Sequence, residues 1–209
     1  MAIRQGCKRL ARLIILRHGN TFDAGDIPTR VGARTDLSLS VSGRTQADSL
    51  AAHFRDTAFR AAFCSPLLRT RQTARAILDA RPHAPALRIL PFLTEVDYGP
   101  DENQTEDKVI ARLGAEALAA WDRDATPPEG WQVDPAALRD AWASLLERAA
   151  TLEAKANVLI VTSNGIARFL PDVVDTQPEG LDRKLKTGAW GVVDAGPDGA
   201  RILDWNLIP

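Results

Sequence analysis

The chain is poor in cysteine, with only Cys7 and Cys64 among its 209 residues. Two thiols exclude a disulfide-stabilised scaffold and a thiolate metal cluster, because both need more sulfur than the chain provides. A disulfide between the two is chemically allowed, but nothing in the sequence requires it. We expect Cys64, at the end of a predicted strand, to be a buried small hydrophobe.

Neither sign of charge is in excess, since 26 Lys and Arg residues are matched by 27 Asp and Glu residues and the net charge is −1. A protein that binds nucleic acid or an anionic membrane by electrostatics needs a positive field to release counterions. The sequence therefore predicts neither a nucleic-acid partner nor a membrane partner. Hydrophobic residues at 45% and charged residues at 25% are ordinary values for a globular domain.

Long apolar runs are also missing. The run that follows the basic start of the chain, Leu13 to Leu16, is shorter than the roughly 7–15 residues of a secretory signal. No stretch approaches the ~18 apolar residues of a membrane span. We therefore predict a cytoplasmic protein in which residues 1–11 are a short N-terminal extension and residues 12–209 form one domain.

Short apolar runs alternate with amphipathic segments along that domain. Helices are predicted over 42–56 and after Cys64, where Ser65 suits an N-cap and Pro66 the first helical position. The alternation predicts a three-layer α/β/α sandwich around a mainly parallel sheet. The predicted strands cover residues 13–16, 61–64, 87–90 and 158–161, with closing strands at 190–193 and 201–205.

Residues 99–156 have a different character and are predicted to be a helical insertion over one end of the sheet. Asp134-Pro135 is a good helix start, and the acidic residues after Gly99 are expected to be a solvated helix start favoured by the helix dipole. Two apolar stripes at helical spacing predict two helices, one carried by Ile110, Leu113, Ala117 and Trp121, the other by Leu138, Trp142, Leu145, Ala149 and Leu152.

Polar residues follow three of the predicted strands. Arg17-His18-Gly19 comes after the first, Ser65 to Arg69 after the second, and Asn164-Gly165 after the later apolar strand. In α/β sheets, ligands bind outside the carboxyl ends of the strands. Two arginines, a histidine and helix N-termini meeting at one edge predict an anion site. A neutral imidazole there could attack phosphorus while the arginines neutralise the phosphoryl oxygens.

The segment Leu16-Arg17-His18-Gly19-Asn20-Thr21 resembles the Arg-His-Gly signature of the histidine phosphatase superfamily, which includes the cofactor-dependent phosphoglycerate mutases. Four further segments are similar to motifs of the same family, in the same order and at the same spacing between about residues 12 and 205. These are Asp36 to Ala47 (Asp-x-x-Leu-Ser-x-x-Gly-x-x-Gln-Ala), Ser65 to Ala74, Leu93 to Gly99, and Val158 to Gly165.

The resemblance implies a role for each matching residue. His18 would be the nucleophile that forms a phosphohistidine, and Arg17 and Arg69 would hold the phosphoryl oxygens. Glu95 would protonate the leaving oxygen and then activate water, while Tyr98 would contact the substrate. The family chemistry needs no metal and no cofactor here, and the implied partner is a small phosphate ester. The phosphate pocket would be lined by Gly19, Asn20, Thr21, Asn164 and Gly165.

One departure is chemically important, because the second catalytic histidine of the family is replaced by Asn164. The other histidines of the chain, His53 and His83, lie outside every motif. Asparagine can donate a hydrogen bond to a phosphoryl oxygen but carries no charge. Losing a charged donor costs about 2.7–4 kcal/mol, judged by oxyanion-hole deletions.

Three functions follow from this pattern. The first is a phosphatase that hydrolyses a small phosphate monoester through His18. The second is a phosphoglycerate mutase, although the insertion offers only Lys108 and Arg112 where mutases carry paired arginines and a lysine for the substrate carboxylate. The third is a phosphate-binding or regulatory module without turnover, for which the neutral Asn164 is the argument.

Overall fold

Residues 10–79 and 81–209 are described by the computed structural model of the chain, and they form one sheet with helices on both faces. Cys7 and most of the predicted N-terminal extension lie outside these residues. The strands are β1 Ala11–Arg17, β2 Phe59–Cys64, β3 Leu87–Ile89, β4 Asn157–Thr162, β5 Trp190–Gly196 and β6 Gly199–Leu207. The helices are α1 Val41–His53, α2 Leu68–Asp79, α3 Glu106–Leu113, α4 Ala115–Asp124, α5 Pro135–Ala150 and α6 Asn164–Ala167.

The strand order is β3-β2-β4-β1-β5-β6. The first four of these strands run parallel, whereas β5 and β6 are antiparallel to their neighbours and close one edge. The predicted α/β sandwich is confirmed, with a mixed sheet. Parallel pairing puts the carboxyl ends of β1, β2 and β4 at one edge, where the three predicted motif segments begin.

The sheet is buried on both faces, which explains why β1 and β4 are continuous apolar runs rather than alternating ones. Leu13 and Ile15 pack in a core with α5, while Ile14 and Leu16 pack in a second core with α1 and α2. Cys64 is fully buried in the second core, as predicted. No helix within the described residues is long and apolar enough to cross a membrane.

Helix α2 begins two residues later than predicted. The Ser65 hydroxyl accepts a hydrogen bond from the Leu67 amide at 3.2 Å and holds residues 65–67 in a turn. The Leu67 carbonyl then accepts the first helical bonds, from Thr70 and Arg71. The Asp36 carboxylate accepts a hydrogen bond from the Leu68 amide at 2.6 Å, so a neighbouring loop caps this helix.

The insertion differs from the prediction in two ways. The stripe from Ile110 to Trp121 belongs to two helices, because Gly114 has a positive φ of 79° and interrupts the helix there. Helix α5 does not lie over an end of the sheet, since it packs against β5 and β1 as part of a helical layer. Its start at Asp134 is as predicted, with the carboxylate accepting from the Ala137 amide at 3.0 Å.

Two residues predicted to be a solvated acidic cluster hold the insertion together instead. Asp101 is 1% exposed and accepts hydrogen bonds from Arg112 and from the Trp131 indole. Glu102 accepts from the backbone amides of Gly32, Arg34 and Tyr98. These acids therefore accept hydrogen bonds from other segments of the chain, which the apolar pattern of the sequence does not predict.

Candidate active site

A cleft of about 600 Å³ opens at the sheet edge where β1 and β4 end. Arg17 pairs with Thr162 across these strands, so the residues that follow each strand are brought together although they are far apart in sequence. Seven of the ten predicted site residues line this cleft, namely Arg17, His18, Asn20, Thr21, Glu95, Tyr98 and Asn164. Arg69 lies beneath His18, and Gly19 and Gly165 shape the backbone behind the cleft.

His18 is 6% exposed and held at both ring nitrogens. Nδ1 lies 2.7 Å from the carbonyl oxygen of Gly19, and the Nε–H of Arg69 donates to Nε2 at 3.1 Å. A guanidinium can only donate, so Nε2 is the unprotonated nitrogen and Nδ1–H donates to Gly19. Burial, followed by the charges of Arg69 and Arg17, lowers the pKa of His18 well below its usual 6.5. The ring is therefore neutral at physiological pH, with its lone pair on Nε2.

Arg69 is fully buried in the first turn of α2 and each of its three nitrogens has an acceptor. Besides His18, it donates to the backbone carbonyls of Thr35 at 2.9 Å and Gly32 at 3.2 Å. Burial lowers its pKa, but a guanidinium stays protonated at any physiological pH. Arg69 thus couples the loop at 31–35 to the imidazole.

Arg17 is the second arginine whose charge acts on His18. It donates through one terminal nitrogen to the Leu185 carbonyl at 2.8 Å, while its buried Nε has no acceptor among the described residues. An unpaired buried donor costs roughly 1–3 kcal/mol. Such a donor beside a histidine is suited to an anion that enters the cleft.

The loop after β1 is fixed by side chains from two helices. The Gly19 amide donates to the Thr73 hydroxyl at 3.2 Å, and the Asn20 amide donates to the Gln46 side chain at 2.8 Å. A methyl group on Gly19 would overlap the Gly43 carbonyl, and one on Gly43 would overlap the Asn20 carbonyl. Both glycines are needed because two backbones touch at this point.

Glu95 is 6% exposed and accepts from two backbone amides. Its Oε1 receives the N–H of Val96 at 2.9 Å and its Oε2 the N–H of Gly165 at 3.3 Å. A side chain on Gly165 would overlap the Glu95 carboxyl group, so this glycine makes room for it. The carboxyl group is therefore held at the start of α6 and borders the same cleft as His18.

Asn164 lies in the cleft wall, as predicted. Its Oδ1 accepts the backbone N–H of Leu185 at 2.9 Å, so its NH₂ group is the part left to donate to a ligand. The Leu185 carbonyl in turn accepts from Arg17. One backbone residue therefore ties the two cleft residues to each other.

Tyr98 is buried against Trp131, with ring centroids 4.6 Å apart, and the guanidinium of Arg30 lies 5.3 Å from its ring centroid. Burial strongly raises the pKa of Tyr98, so its phenol is a neutral donor at the cleft wall. The Asn20 side chain is already engaged, since its amide donates to the Ser42 hydroxyl at 3.3 Å. Thr21 lines the cleft close to it.

Several cleft residues carry no motif and were missed by the sequence analysis, namely Arg30, Trp121, Asp122, Arg168 and Lys184. Arg168 could have been found, because it follows Asn164 by four residues and so by about one helical turn. The others come from segments remote in sequence and give no local signal. Neither Lys108 nor Arg112, the candidates for a mutase carboxylate site, borders the cleft.

No group of three or more His, Cys, Asp or Glu side chains that could hold a metal ion is found within residues 10–79 and 81–209. His53 and His83 are exposed, and neither lines the cleft.

Comparison with known proteins identifies the family. Residues 13–208 match the family described as the histidine phosphatase superfamily (branch 1). The chain belongs to the histidine phosphatase superfamily. The resemblance predicted from five sequence motifs is thereby confirmed across nearly the whole chain.

Two histidine phosphatase relatives are similar over most of their length. A 2,3-bisphosphoglycerate-dependent phosphoglycerate mutase of Gloeobacter violaceus is 28% identical over 179 residues, covering 83% of this chain and 80% of the relative. An adenosylcobalamin/alpha-ribazole phosphatase of Salmonella typhimurium is 28% identical over 190 residues, covering 88% and 90%. One of these relatives is named a mutase and the other a phosphatase, and both are 28% identical to this chain.

Solved structures show the same fold. A phosphoglycerate mutase from Bacillus anthracis has a TM-score of 0.77 at 19% identity, covering 95% of this chain and 94% of its own. A mycobacterial glucosyl-3-phosphoglycerate phosphatase has a TM-score of 0.74 at 22% identity, covering 95% and 99%. The phosphoglycerate mutase-like architecture predicted from the sequence is confirmed.

Proposed function

We propose that this histidine phosphatase hydrolyses a small phosphate monoester through a covalent phosphohistidine on His18. The observation that carries the proposal is the state of the imidazole: Nδ1–H donates to the Gly19 carbonyl, and the Nε2 lone pair accepts from the buried Arg69. A neutral, oriented imidazole is the form that attacks phosphorus. Mere binding of phosphate would be served better by a protonated one.

In the first step Nε2 of His18 forms the bond to phosphorus, and the bond from phosphorus to the ester oxygen breaks. The Glu95 carboxylic acid gives its proton to that departing oxygen, so an alcohol leaves. Arg17 and Arg69 offset the charge on the phosphoryl oxygens, and the Gly19 carbonyl stabilises the positive charge that develops on the ring.

In the second step the Glu95 carboxylate takes a proton from water while the water oxygen attacks phosphorus. The phosphorus–nitrogen bond breaks, and inorganic phosphate and neutral His18 are regenerated. The donors needed for this cycle are backbone amides, arginines and the Asn164 NH₂ group. None of the steps as written requires a metal ion.

The test is phosphate release from a panel of monoesters, with wild type and His18→Gln side by side. The panel includes alpha-ribazole 5′-phosphate and glucosyl-3-phosphoglycerate, since relatives carry these names. We expect turnover and an acid-labile phosphoenzyme in wild type only. Equal turnover by His18→Gln would refute the nucleophile.

The same assay separates the two alternatives. Interconversion of 2- and 3-phosphoglycerate that depends on bisphosphoglycerate would favour a mutase, in line with the Gloeobacter relative. Phosphate binding with no turnover of any ester would favour a binding module, for which the neutral Asn164 is the argument. A mutase would need Lys108 and Arg112 at the substrate carboxylate, and neither residue lines the cleft.

A further inference from the structure

Two arginines are buried in the described part of the chain, Arg69 and Arg168. Arg69 contacts His18 and matches a motif. Arg168 is 1% exposed, borders the same cleft, and matches nothing that the sequence analysis singled out. A buried guanidinium loses its hydration, which destabilises the folded chain unless its partners compensate. Its retention at the cleft therefore needs an explanation.

The partners of Arg168 hold its position but do not cancel its charge. It donates to the carbonyl oxygens of Trp121 and Asn164, and its guanidinium carbon lies 4.1 Å from the centroid of the Trp121 ring. Its carboxylate partner is Asp122 at 3.3 Å, which is half exposed and also bound by Lys184 at 3.2 Å. Two cations therefore share one solvated carboxylate, so this group of three side chains is net positive.

The charge of Arg168 acts on Arg17, a residue of the proposed phosphate site. Burial lowers the pKa of Arg17, and the charge of Arg168 adds to that lowering more than the charge of Arg69 does. The N–H at Nε of Arg168 also lies 3.5 Å from the carbonyl oxygen of Asn164, the neutral member of the site. This contact is with the main chain of Asn164, and both residues line the same cleft.

We infer that Arg168 supplies the cationic charge that Asn164 lacks, and acts with Arg17 and Arg69 to stabilise the phosphoryl group during transfer. The inference rests on the proposed function. It divides one task between two residues: Asn164 donates the hydrogen bond and Arg168 provides the charge.

The first experiment replaces Arg168 by Gln and measures kcat and KM separately on the best substrate of the panel. Because the charge is needed most in the transition state, we expect kcat to fall by about 10²–10³-fold, with KM nearly unchanged. Arg139→Gln is the matched control. Arg139 also pairs with an aspartate and lies over an aromatic ring, but it lies outside the cleft, so its kcat should not change.

Rescue separates a charge role from a structural one. Asn164→His places a protonatable ring beside the phosphoryl group, and it should restore kcat at least tenfold in the Arg168→Gln background while giving no such gain in wild type. A structural role for Arg168 predicts no rescue and a matching fall in Tm. Loss without rescue, or unchanged kcat in Arg168→Gln, would overturn the inference.

A second variant keeps the test open if Arg168→Gln does not fold. Asp122→Asn removes an exposed carboxylate from the shared pair, so folding should not depend on it. We expect its affinity for orthovanadate and for inorganic phosphate to rise severalfold, because Arg168 and Lys184 are released. Unchanged or weaker binding counts against Arg168.

Anion binding does not depend on turnover. If wild type releases no phosphate from any ester, the proposed function fails, yet vanadate titration of the Arg168→Gln and Arg139→Gln variants still decides whether Arg168 contributes charge. The two failures are therefore distinguishable.

Discussion

The Nε–H of Arg69 points at Nε2 of His18 across 3.1 Å, while two other nitrogens of the same guanidinium are bound to backbone carbonyls. The proposed nucleophile is thus oriented by a side chain whose three nitrogens are all engaged. A phosphoryl group entering the cleft has to compete with Arg69 for the Nε2 lone pair. Once Nε2 bonds to phosphorus in the proposed reaction, the charge of this fixed guanidinium lies beside the phosphoryl oxygens.

The low pKa of His18 predicts an acid limb of kcat/KM shifted to lower pH. The proposed nucleophile His18 must be neutral to attack, and burial together with the charges of Arg69 and Arg17 lowers its pKa well below 6.5. We expect no loss of kcat/KM attributable to histidine protonation as the pH falls from 7.5 to 6.5. A pH–rate profile checks this, and a limb centred at 6.5 or above would contradict it.

The same shift has a consequence for stability. As pH falls below 6.5, His18 gains a proton in the unfolded chain but not in the folded one, so the unfolded state is favoured. Above 6.5 both states are neutral and the shift contributes nothing. Relative to His18→Gln, wild type should lose up to about 1.4 kcal/mol of unfolding free energy per pH unit below 6.5. Denaturant curves at several pH values for both proteins measure this difference, and parallel curves would contradict it.

Arg69→Lys should lose activity although it keeps the charge. A lysine ammonium cannot donate at once to His18, Thr35 and Gly32 in the fixed geometry of a guanidinium. We expect kcat to fall about 10²-fold or more, in the range found when a preorganised donor is lost. Steady-state kinetics checks this, with Arg75→Lys on the exposed face of α2 as the control. Full activity of Arg69→Lys would mean that charge alone suffices.

Glu95→Gln should impair substrates according to their leaving group. The amide cannot supply a proton to an alkoxide, a role worth about 10²–10⁴-fold. Alkyl phosphates should therefore lose most of their kcat, while p-nitrophenyl phosphate, whose leaving group needs no proton, should lose much less in the first step. Burst kinetics separates phosphorylation from hydrolysis. Equal loss in phosphorylation for both substrates would argue that Glu95 only positions Gly165.

Gly43→Ala should weaken both fold and activity. The added methyl would overlap the Asn20 carbonyl, so the loop that carries His18 and helix α1 must separate. Overpacking of this kind costs about 1–3 kcal/mol. The Tm measured by thermal unfolding and the kcat should both fall. Ser49→Ala, on the exposed face of the same helix, should leave both unchanged. An active Gly43→Ala of wild-type stability would show that the loop can move freely.

Much of this arrangement follows from local sequence. The apolar runs of β1 and β4 predict strands buried on both faces, and the rule for strand ends then brings His18 and Asn164 to one edge. The break at Gly114 is not predictable from the apolar stripe, because the helical period continues across it. The division of the stripe into α3 and α4 depends on a backbone angle instead.

The remaining differences arise from contacts between remote segments. Arg168 lies over the ring of Trp121 and pairs with the carboxylate of Asp122. Both residues are in a helix that precedes Arg168 by more than 40 residues. Glu102 accepts amides from a loop about 70 residues earlier. Such partners are set by tertiary packing and cannot be read from local charge and spacing. For that reason the sequence predicted a solvated acidic cluster instead.

The position of β4 between β2 and β1 also sets the order in which the molecule can assemble. β1 and β2 share no pairing of their own, so the sheet cannot close until residues 157–162 have been inserted. This insertion also delivers Asn164 to the cleft. An anion that needs Asn164 and His18 together has no site on a chain where β4 is still unpaired. Bound phosphate should therefore slow unfolding while leaving the rate of refolding unchanged. The ligand would then increase the lifetime of the folded state without making folding faster.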